Sequence, residues 1–237
     1  MDVTPSALTA IADALPYMLR GIWVTLGLIF GAMALGLLLG VPLAVGQVYG
    51  RRWISRCVGC YVWLFRGVPI LVQLYLFYFG LFAWLGQFRV FAALHLDSAF
   101  AAAAVVLGLT SAAYQSQIFR GAILALPAGQ FKAGRALGMS DATVIRSIIL
   151  PQALRLAIPA WSNEYSILLK DSALAFVIGV LEIMARTRSV AATTHQPLPL
   201  SLVAAIIFFL LTWAGVKALR VVEKKVGIPG YSHQGQL

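Results

Sequence analysis

The sequence has little charge for its length. Asp, Glu, Lys and Arg make up only 11% of the 237 residues, hydrophobic residues make up 61%, and the mean hydropathy is +0.88. A soluble domain usually carries about 25% charged residues and about 45–50% apolar ones. The composition therefore excludes an ordinary cytosolic enzyme, a disordered chain and a nucleic-acid-binding domain. It predicts an all-α polytopic membrane protein, because apolar runs of about 20 residues are what a bilayer core requires.

Residues that build catalytic and metal sites are also scarce. Cys57 and Cys60 are the only cysteines, and this lone C-x-x-C lacks the second pair that a zinc site normally needs. His95, His195 and His233 lie in loops or the tail, away from acidic partners. The sequence contains no Gly-x-x-x-x-Gly-Lys-Ser/Thr loop for a nucleotide. We therefore predict that the chain is not an enzyme and holds no metal or cofactor of its own.

Acidic residues are few, with 8 against 18 basic ones and a net charge of +10. In a membrane protein such an excess belongs to the cytoplasmic loops and sets the topology. Thirteen of the 18 bases fall on one predicted face, four on the other, and Lys170 lies within a span. This asymmetry predicts an external N-terminus and a cytoplasmic C-terminus. The thirteen are Arg51, Arg52, Arg56, Arg66, Arg120, Lys132, Arg135, Arg146, Arg155, Lys217, Arg220, Lys224 and Lys225.

Five apolar runs predict five transmembrane helices in one membrane domain over residues 21–222. An external segment (1–20) precedes this domain and a cytoplasmic tail (223–237) follows it, while residues 120–157 form a long cytoplasmic loop. The predicted spans are about 21–48, 69–85, 99–119, 158–181 and 200–216.

Local patterns refine this prediction. Gly27-xxx-Gly31 and Gly36-xxx-Gly40 have the spacing that lets membrane helices approach closely. Because Pro69 disfavours a continuous helix, we expect an amphipathic helix over about 53–65 to lie at the interface before the second span begins. Trp161 predicts that the fourth span starts at the inner interface.

The long cytoplasmic loop contains a helix–glycine–helix pattern. Gly138 suits the left-handed conformation that ends a helix, and Ser140 suits the cap of the next one, over about 141–150. Pro151 should bend or end that second helix. The residues alone leave two interpretations open: a rigid knob on the cytoplasmic face, or an amphipathic connector on the membrane surface.

The stretch from Phe131 to Pro151 resembles the EAA loop of binding-protein-dependent ABC transporter permeases. The family pattern is Glu-Ala-Ala, three residues, Gly, nine residues, Ile, any residue, Leu-Pro. This sequence departs from the pattern at Lys132 in place of Glu and at Gly134 in place of the second Ala. The residues in register are Ala133, Gly138, Ile148, Leu150 and Pro151.

Further motifs, at Arg66–Leu74, Ala113–Ala122 and Asn163–Ser172, resemble the polar amino acid subfamily of these permeases, so the resemblance covers about 21–222. It implies a type I ABC importer fold in the inner membrane of a bacterial-type cell. It also implies cytoplasmic ATPase subunits carrying ATP and Mg, an external solute-binding protein, and a polar amino acid as substrate. The two departures favour a second, different permease chain over a homodimer.

The resemblance also implies a coupling segment and a mechanism. A short loop helix would sit in a groove of the ATPase and transmit the closure of the ATPases to the spans. Because Lys132 reverses the family charge, a salt bridge from that position is not carried over. The coupling residues implied are Phe131, Lys132, Ala133, Gly134, Arg135, Ala136, Leu137 and Gly138.

The fourth span carries unusual charges at Glu164, Lys170 and Asp171. Intramembrane charges are rare and usually functional, and the spacing from Trp161 predicts that Lys170 lies near the bilayer middle. A cation and an anion together could bind the two charges of an amino acid. The alternative is that Lys170 and Asp171 form a structural pair or a gate contact between permease chains. Further candidates for the substrate path or gate are Asn163, Gln73 and Tyr114.

A self-sufficient secondary transporter or channel for small polar solutes is the alternative function. Such transporters often contain internal repeats, and five spans without a convincing repeat do not favour it. A membrane scaffold would leave the charges of the fourth span without a role.

Overall fold

The protein is described by a computed structural model, which covers residues 7–88 and 98–226. The predicted loop residues Arg89, His95 and Asp97, and most of the predicted tail, lie outside these ranges. Eight helices follow one another in the described ranges. They are α1 (Ala7–Tyr49), α2 (Arg52–Gly67), α3 (Ile70–Leu85), α4 (Ala99–Leu124), α5 (Ala128–Ala136), α6 (Asp141–Ile178), α7 (Ile183–Thr194) and α8 (Pro197–Val226).

Four of the described helices, α1, α4, α6 and α8, are long and apolar enough to cross a membrane. Helices α2 and α3 pass the same test only as a pair, and they meet at a bend of 104°. Counting the pair as one broken span gives the five spans that the apolar runs predict. The short helices α5 and α7 lie at opposite ends of this bundle, and we name the ends after them.

Two helices are longer than the predicted spans. Helix α1 begins at Ala7, fourteen residues before the apolar run at Gly21, and it continues without interruption through Pro16 and Pro42. Helix α6 begins at Asp141 and continues through Pro151, so of the two predicted outcomes, a bend or an end, the proline does not end the helix. A π-helical turn over Ile145–Ile149 widens the helix just before the proline. Such a turn re-spaces the backbone where the proline lacks an N–H.

The prediction that residues 53–65 lie flat at the interface is wrong. At the α5 end, Ser55 donates a hydrogen bond to the Gln47 carbonyl near the end of α1 (3.1 Å). Further along α2, the Tyr61 hydroxyl donates to the Leu109 carbonyl (2.6 Å), which lies near the middle of α4. Helix α2 therefore runs into the bundle and ends at half its height, and Arg66 at its end does not lie on the face to which the charge count assigned it.

Helices α1 and α4 form the main interface of the core, and small residues allow it. A Cβ on Gly40 would lie 3.1 Å from the Gln115 Cβ, and one on Gly36 would overlap the Gln115 amide. The Gly36-xxx-Gly40 prediction is therefore confirmed. Of the other pair, Gly27 also lies close to α4, because a Cβ there would be 3.3 Å from the Phe100 ring, whereas a Cβ on Gly31 would meet nothing within 4 Å.

Candidate functional site

A buried polar network lies at the centre of the bundle, around a carboxylate. Glu164 on α6 is only 3% exposed, and its Oε1 accepts a hydrogen bond from the Ser111 hydroxyl of α4 (3.0 Å). Gln115 donates to the Ser111 hydroxyl (3.0 Å) and to the Met33 carbonyl of α1 (3.2 Å). The Trp161 indole N–H donates to the Gln115 carbonyl oxygen (2.8 Å). The network joins three helices around one acidic group.

This network corrects two predictions about the depth of the fourth span. Trp161 points into the bundle rather than to an interface, because its indole is bonded to Gln115. Ser111 is the residue at the middle of α4, so the acid bonded to it, Glu164, marks the middle of the bundle. Lys170 lies six residues further along α6, about 9 Å nearer the α7 end.

The break between α2 and α3 is stabilised by one side chain. The Gln73 amide N–H₂ donates to the Phe65 carbonyl (2.9 Å) and to the Val68 carbonyl (2.7 Å). Its carbonyl oxygen accepts from the Thr110 hydroxyl of α4 (2.7 Å). The last carbonyls of a helix have no partner within it, and inside a membrane they must find one. Gln73 is 3% exposed and bonded at both ends of its amide, so the structure places this candidate at the bend.

The same break places a cation over an aromatic ring of α4. Arg66, the penultimate residue of α2, places its guanidinium 4.9 Å from the centre of the Tyr114 ring on α4. An arginine over an aromatic face is a favourable cation–π contact, and a cation also complements the C-terminal end of a helix. Tyr114 lies one turn along α4 from Ser111, the hydrogen-bond partner of Glu164. The break thus brings a cation, an aromatic ring and an acid into one region.

The remaining candidates on α6 lie on other faces of the helix. Asn163 and Lys170 are exposed in the single chain, whereas Asp171 is half-buried and lies within electrostatic reach of Lys170. The structure therefore does not pair Glu164 with Lys170. Between them, residues 7–88 and 98–226 form one salt bridge, Arg135–Asp141, at the α5 end.

The helix–glycine–helix segment has the geometry that its sequence predicts. Gly138 has φ 80°, the left-handed conformation that ends α5, and the Ser140 hydroxyl accepts a hydrogen bond from the Thr143 N–H at the start of α6 (3.2 Å). Arg135 and Asp141 form an ion pair across the turn (2.6 Å). The segment is a defined corner, with α5 held against the first turns of α6.

Helix α5 has two distinct faces. Phe131 is half-buried and stacks on Tyr49 at the end of α1, with ring centres 5.1 Å apart and planes at 16°. Gly134 is buried, and a Cβ there would lie 2.7 Å from Val144 Cγ2, which explains in this chain the departure from alanine. The opposite face is open, and the Leu137 side chain is 82% exposed. The exposed residues are Lys132, Ala133, Arg135, Ala136, Leu137 and Gly138.

Sequence reasoning missed four members of the central region. Ser111, Gln115 and Trp161 had no motif of their own, and spacing alone does not show which polar residues of two helices will meet. Arg66 did carry a signal, because it directly precedes the Gly-Val-Pro that breaks the helix. A charge beside a predicted helix break in an apolar region indicates an intramembrane charge.

Several spanning helices, a broken span and a charged centre at half height define an integral membrane transport component. The sequence matches the family model of the binding-protein-dependent transport system inner membrane component over residues 32–228. The chain belongs to that family and is an inner membrane permease.

Named relatives and solved structures agree with this assignment. The octopine transport system permease protein OccQ of Rhizobium meliloti is 37% identical over 211 residues, which cover 88% of this chain and 89% of the relative. The histidine/lysine/arginine/ornithine transport system permease protein HisM of Salmonella typhimurium is 35% identical over 214 residues, with the same coverage of each chain.

Among solved structures, a chain of an amino acid ABC transporter crystallised with histidines matches at a TM-score of 0.79 and 31% identity, covering 94% of this chain and 100% of that one. A chain of the MetNI methionine ABC transporter in an inward-facing conformation matches at a TM-score of 0.76 and 20% identity, covering 90% of this chain and 97% of that one. At that identity the second match shows the fold alone, which is that of a type I ABC importer permease.

Proposed function

We propose that the chain is the membrane-spanning subunit of an ATP-driven importer of amino acids, and that its substrate passes the region between Arg66 and Glu164. The observation that carries this proposal is the placement of a guanidinium and a carboxylate on neighbouring turns at the middle of α4, with Arg66 over Tyr114 and Glu164 bonded to Ser111. A free amino acid has a carboxylate and an ammonium group. Arginine binds carboxylates in two-pronged geometry, and a buried acid favours a cation.

The relatives support a basic amino acid within this class. The names of OccQ and HisM specify octopine, histidine, lysine, arginine and ornithine as the compounds that those systems transport. A second anion is available for a cationic side chain, because Asp171 is half-buried and lies two turns along α6 from Glu164. We therefore propose that Glu164 and Asp171 favour basic substrates, while the exposed Asn163 and Lys170 face a second permease chain and act in its gate.

The open face of α5 is the proposed docking site for a separate ATPase subunit, which would bind ATP and Mg. Leu137 offers an exposed apolar anchor and Lys132 an exposed charge, and neither has a role within this chain that the described contacts require. Because Lys132 is basic, the partner groove should present an acidic side chain at that point. A solute-binding protein would deliver the amino acid at the α7 end. The chemistry of ATP hydrolysis belongs to the ATPase.

The test is uptake of radiolabelled arginine by the chain in proteoliposomes, with and without its second permease chain, its cognate ATPase and its solute-binding protein. We expect uptake only with all components and ATP. Uptake by the chain alone down an ion gradient would establish the secondary transporter instead. E164Q should lower ATP-driven uptake by about tenfold or more, since it removes the charge that the substrate meets. A matched control is E223Q, the same exchange near the end of α8, which should leave ATP-driven uptake unchanged.

The charge at the docking face has its own test. K132E should weaken binding of the ATPase to the purified permease by about two- to fivefold, because an exposed charge pair is worth only about 1 kcal/mol or less. An acid-to-lysine exchange in the facing groove of the ATPase should restore binding. Tighter binding of K132E to the unchanged ATPase would contradict the proposed acidic groove.

A further inference from the structure

Helix α1 connects the two ends of the molecule. It has 43 residues, which corresponds to a length of about 65 Å at about 1.5 Å per residue. A bilayer core is about 30 Å thick, so the helix is long enough to extend beyond it at both ends. At each end it contacts one of the two short helices that stand outside the spans.

At the α5 end, the contact is aromatic. Tyr49, the last residue of α1, stacks on Phe131, which lies on the bundle-facing side of α5. Helix α5 is also held to α6, because Gln130 and Gln152 exchange two amide hydrogen bonds of 3.1 and 2.9 Å. A displacement of α5 therefore acts on α1 directly, through a ring stack between residues that are distant in sequence.

At the α7 end, the contact is close and involves the backbone. A Cβ on Gly21 would lie 2.7 Å from the Ile183 nitrogen, so the first turn of α7 rests directly on the surface of α1. The Thr25 hydroxyl lies 3.5 Å from the same nitrogen. The Arg186 guanidinium of α7 lies 4.6 Å from the centre of the Tyr17 ring of α1. These contacts leave α7 little freedom to move without α1.

We propose that α1 is a transmission rod that links α5 to α7, so that Tyr49 and Gly21 are positioning residues for the transport cycle. The inference rests on the proposed docking of an ATPase on α5. When the ATPase moves α5, α1 would transmit this displacement to α7. Binding of the loaded solute-binding protein at the α7 end would displace α5 through the same helix. Between the two contacts, α1 packs closely on α4 at Gly36 and Gly40, so a movement of α1 carries α4 with it.

The test uses the complete complex in nanodiscs, with its ATPase and solute-binding protein. The measured quantity is the stimulation of ATP hydrolysis by the loaded solute-binding protein, relative to the basal rate. We expect Y49A and G21A each to reduce this stimulation by about fivefold or more, which is the range of ordinary allosteric coupling. The matched controls are Y49F, which keeps the ring, and G31A, whose added Cβ meets nothing within 4 Å on the same helix. Both controls should keep stimulation within about twofold.

The double variant Y49A/G21A distinguishes a rod from two local effects. If both changes interrupt the same connection, the double variant should be no worse than the poorer single one. If the losses of the two single variants multiply in the double variant, transmission through α1 is refuted. It is also refuted if neither single variant changes the stimulation in an assembled complex. Failure of the ATPase to bind even the unmodified permease would instead refute the proposed function. Where G21A does not assemble, T25V tests the same contact between α1 and α7. We expect the same loss of stimulation, about fivefold or more, and unchanged stimulation would contradict the proposal.

Discussion

Replacing Gly36 by alanine tests the central packing of the bundle. The added Cβ would overlap the Gln115 amide and lie 3.0 Å from the Ser111 hydroxyl oxygen. Gln115 is fully buried and holds hydrogen bonds to Met33, Ser111 and Trp161. Its side chain therefore has no free direction in which to move, and relief of the overlap requires the loss of at least one of these bonds.

The size of the effect follows from opposing contributions. Overpacking of a well-packed site costs about 1–3 kcal/mol, and each interhelical hydrogen bond lost in a membrane adds about 0.6 kcal/mol. Alanine gains about 0.5–1 kcal/mol over glycine in a helix interior. The expected net destabilisation is about 1–3 kcal/mol, or roughly 2–12 °C in the unfolding midpoint for a chain of this size.

The assay is thermal unfolding of the purified permease in detergent, with G31A as the reference. A Cβ at Gly31 meets nothing within 4 Å, so G31A measures the helix-propensity gain alone and should be at least as stable as the original chain. Truncation of the obstructing side chain should help, so G36A/Q115A should be less destabilised than the two single effects added together. Equal midpoints for G36A and G31A would refute the close approach of α1 and α4.

Three further predictions concern other parts of the molecule. Burial raises the pKa of the Glu182 carboxyl from 4.5 to about 7, and this effect outweighs the two backbone N–H bonds that lower the pKa. Because the folded protein then binds the proton more tightly than the unfolded one, the free energy of unfolding should fall as the pH rises from 4.5 to about 7. E182Q should flatten this pH dependence in thermal unfolding. R66K keeps the charge but not the planar guanidinium, so it should raise the apparent KM for arginine uptake more than it lowers the maximal rate. An unchanged KM would exclude contact between Arg66 and the substrate. G138V places a β-branched residue at φ 80°, a strain of about 1–2 kcal/mol, and should reduce transport per ATP, whereas the exposed G129A should not.

Much of the fold follows from local patterns. The apolar runs predict the spans because bilayer thickness requires about 20 residues per helix. The corner at Gly138 and Ser140 was also predictable, since a left-handed residue and a helix cap are decided by neighbouring residues. Gly36 was predictable as a close-approach residue, although the same spacing also includes Gly31, where a Cβ would meet nothing within 4 Å.

The centre of the site was not predictable in the same way. Which of several intramembrane charges is buried depends on the rotation of α6 about its axis, and that rotation is set by Ser111 on another helix. An interface position for Trp161 predicts the wrong membrane depth for Lys170, because the Trp161 indole bonds to Gln115 inside the bundle. The bend at Gly67 similarly depends on Gln73, whose amide supplies partners for two carbonyls.

The length of α1 also has a consequence for the order in which the protein assembles. Its partners appear late in synthesis: Met33 bonds to a residue 82 positions further on, and Thr25 contacts one 158 positions further on. At about 5–20 residues per second, the first helix waits roughly 8–30 s in the membrane before α7 emerges. During this interval Gly21 and the Thr25 hydroxyl, whose partner is Ile183, face lipid or an insertion factor. Early truncations of this chain should therefore be the forms that depend most on membrane chaperones and that quality-control proteases recognise first.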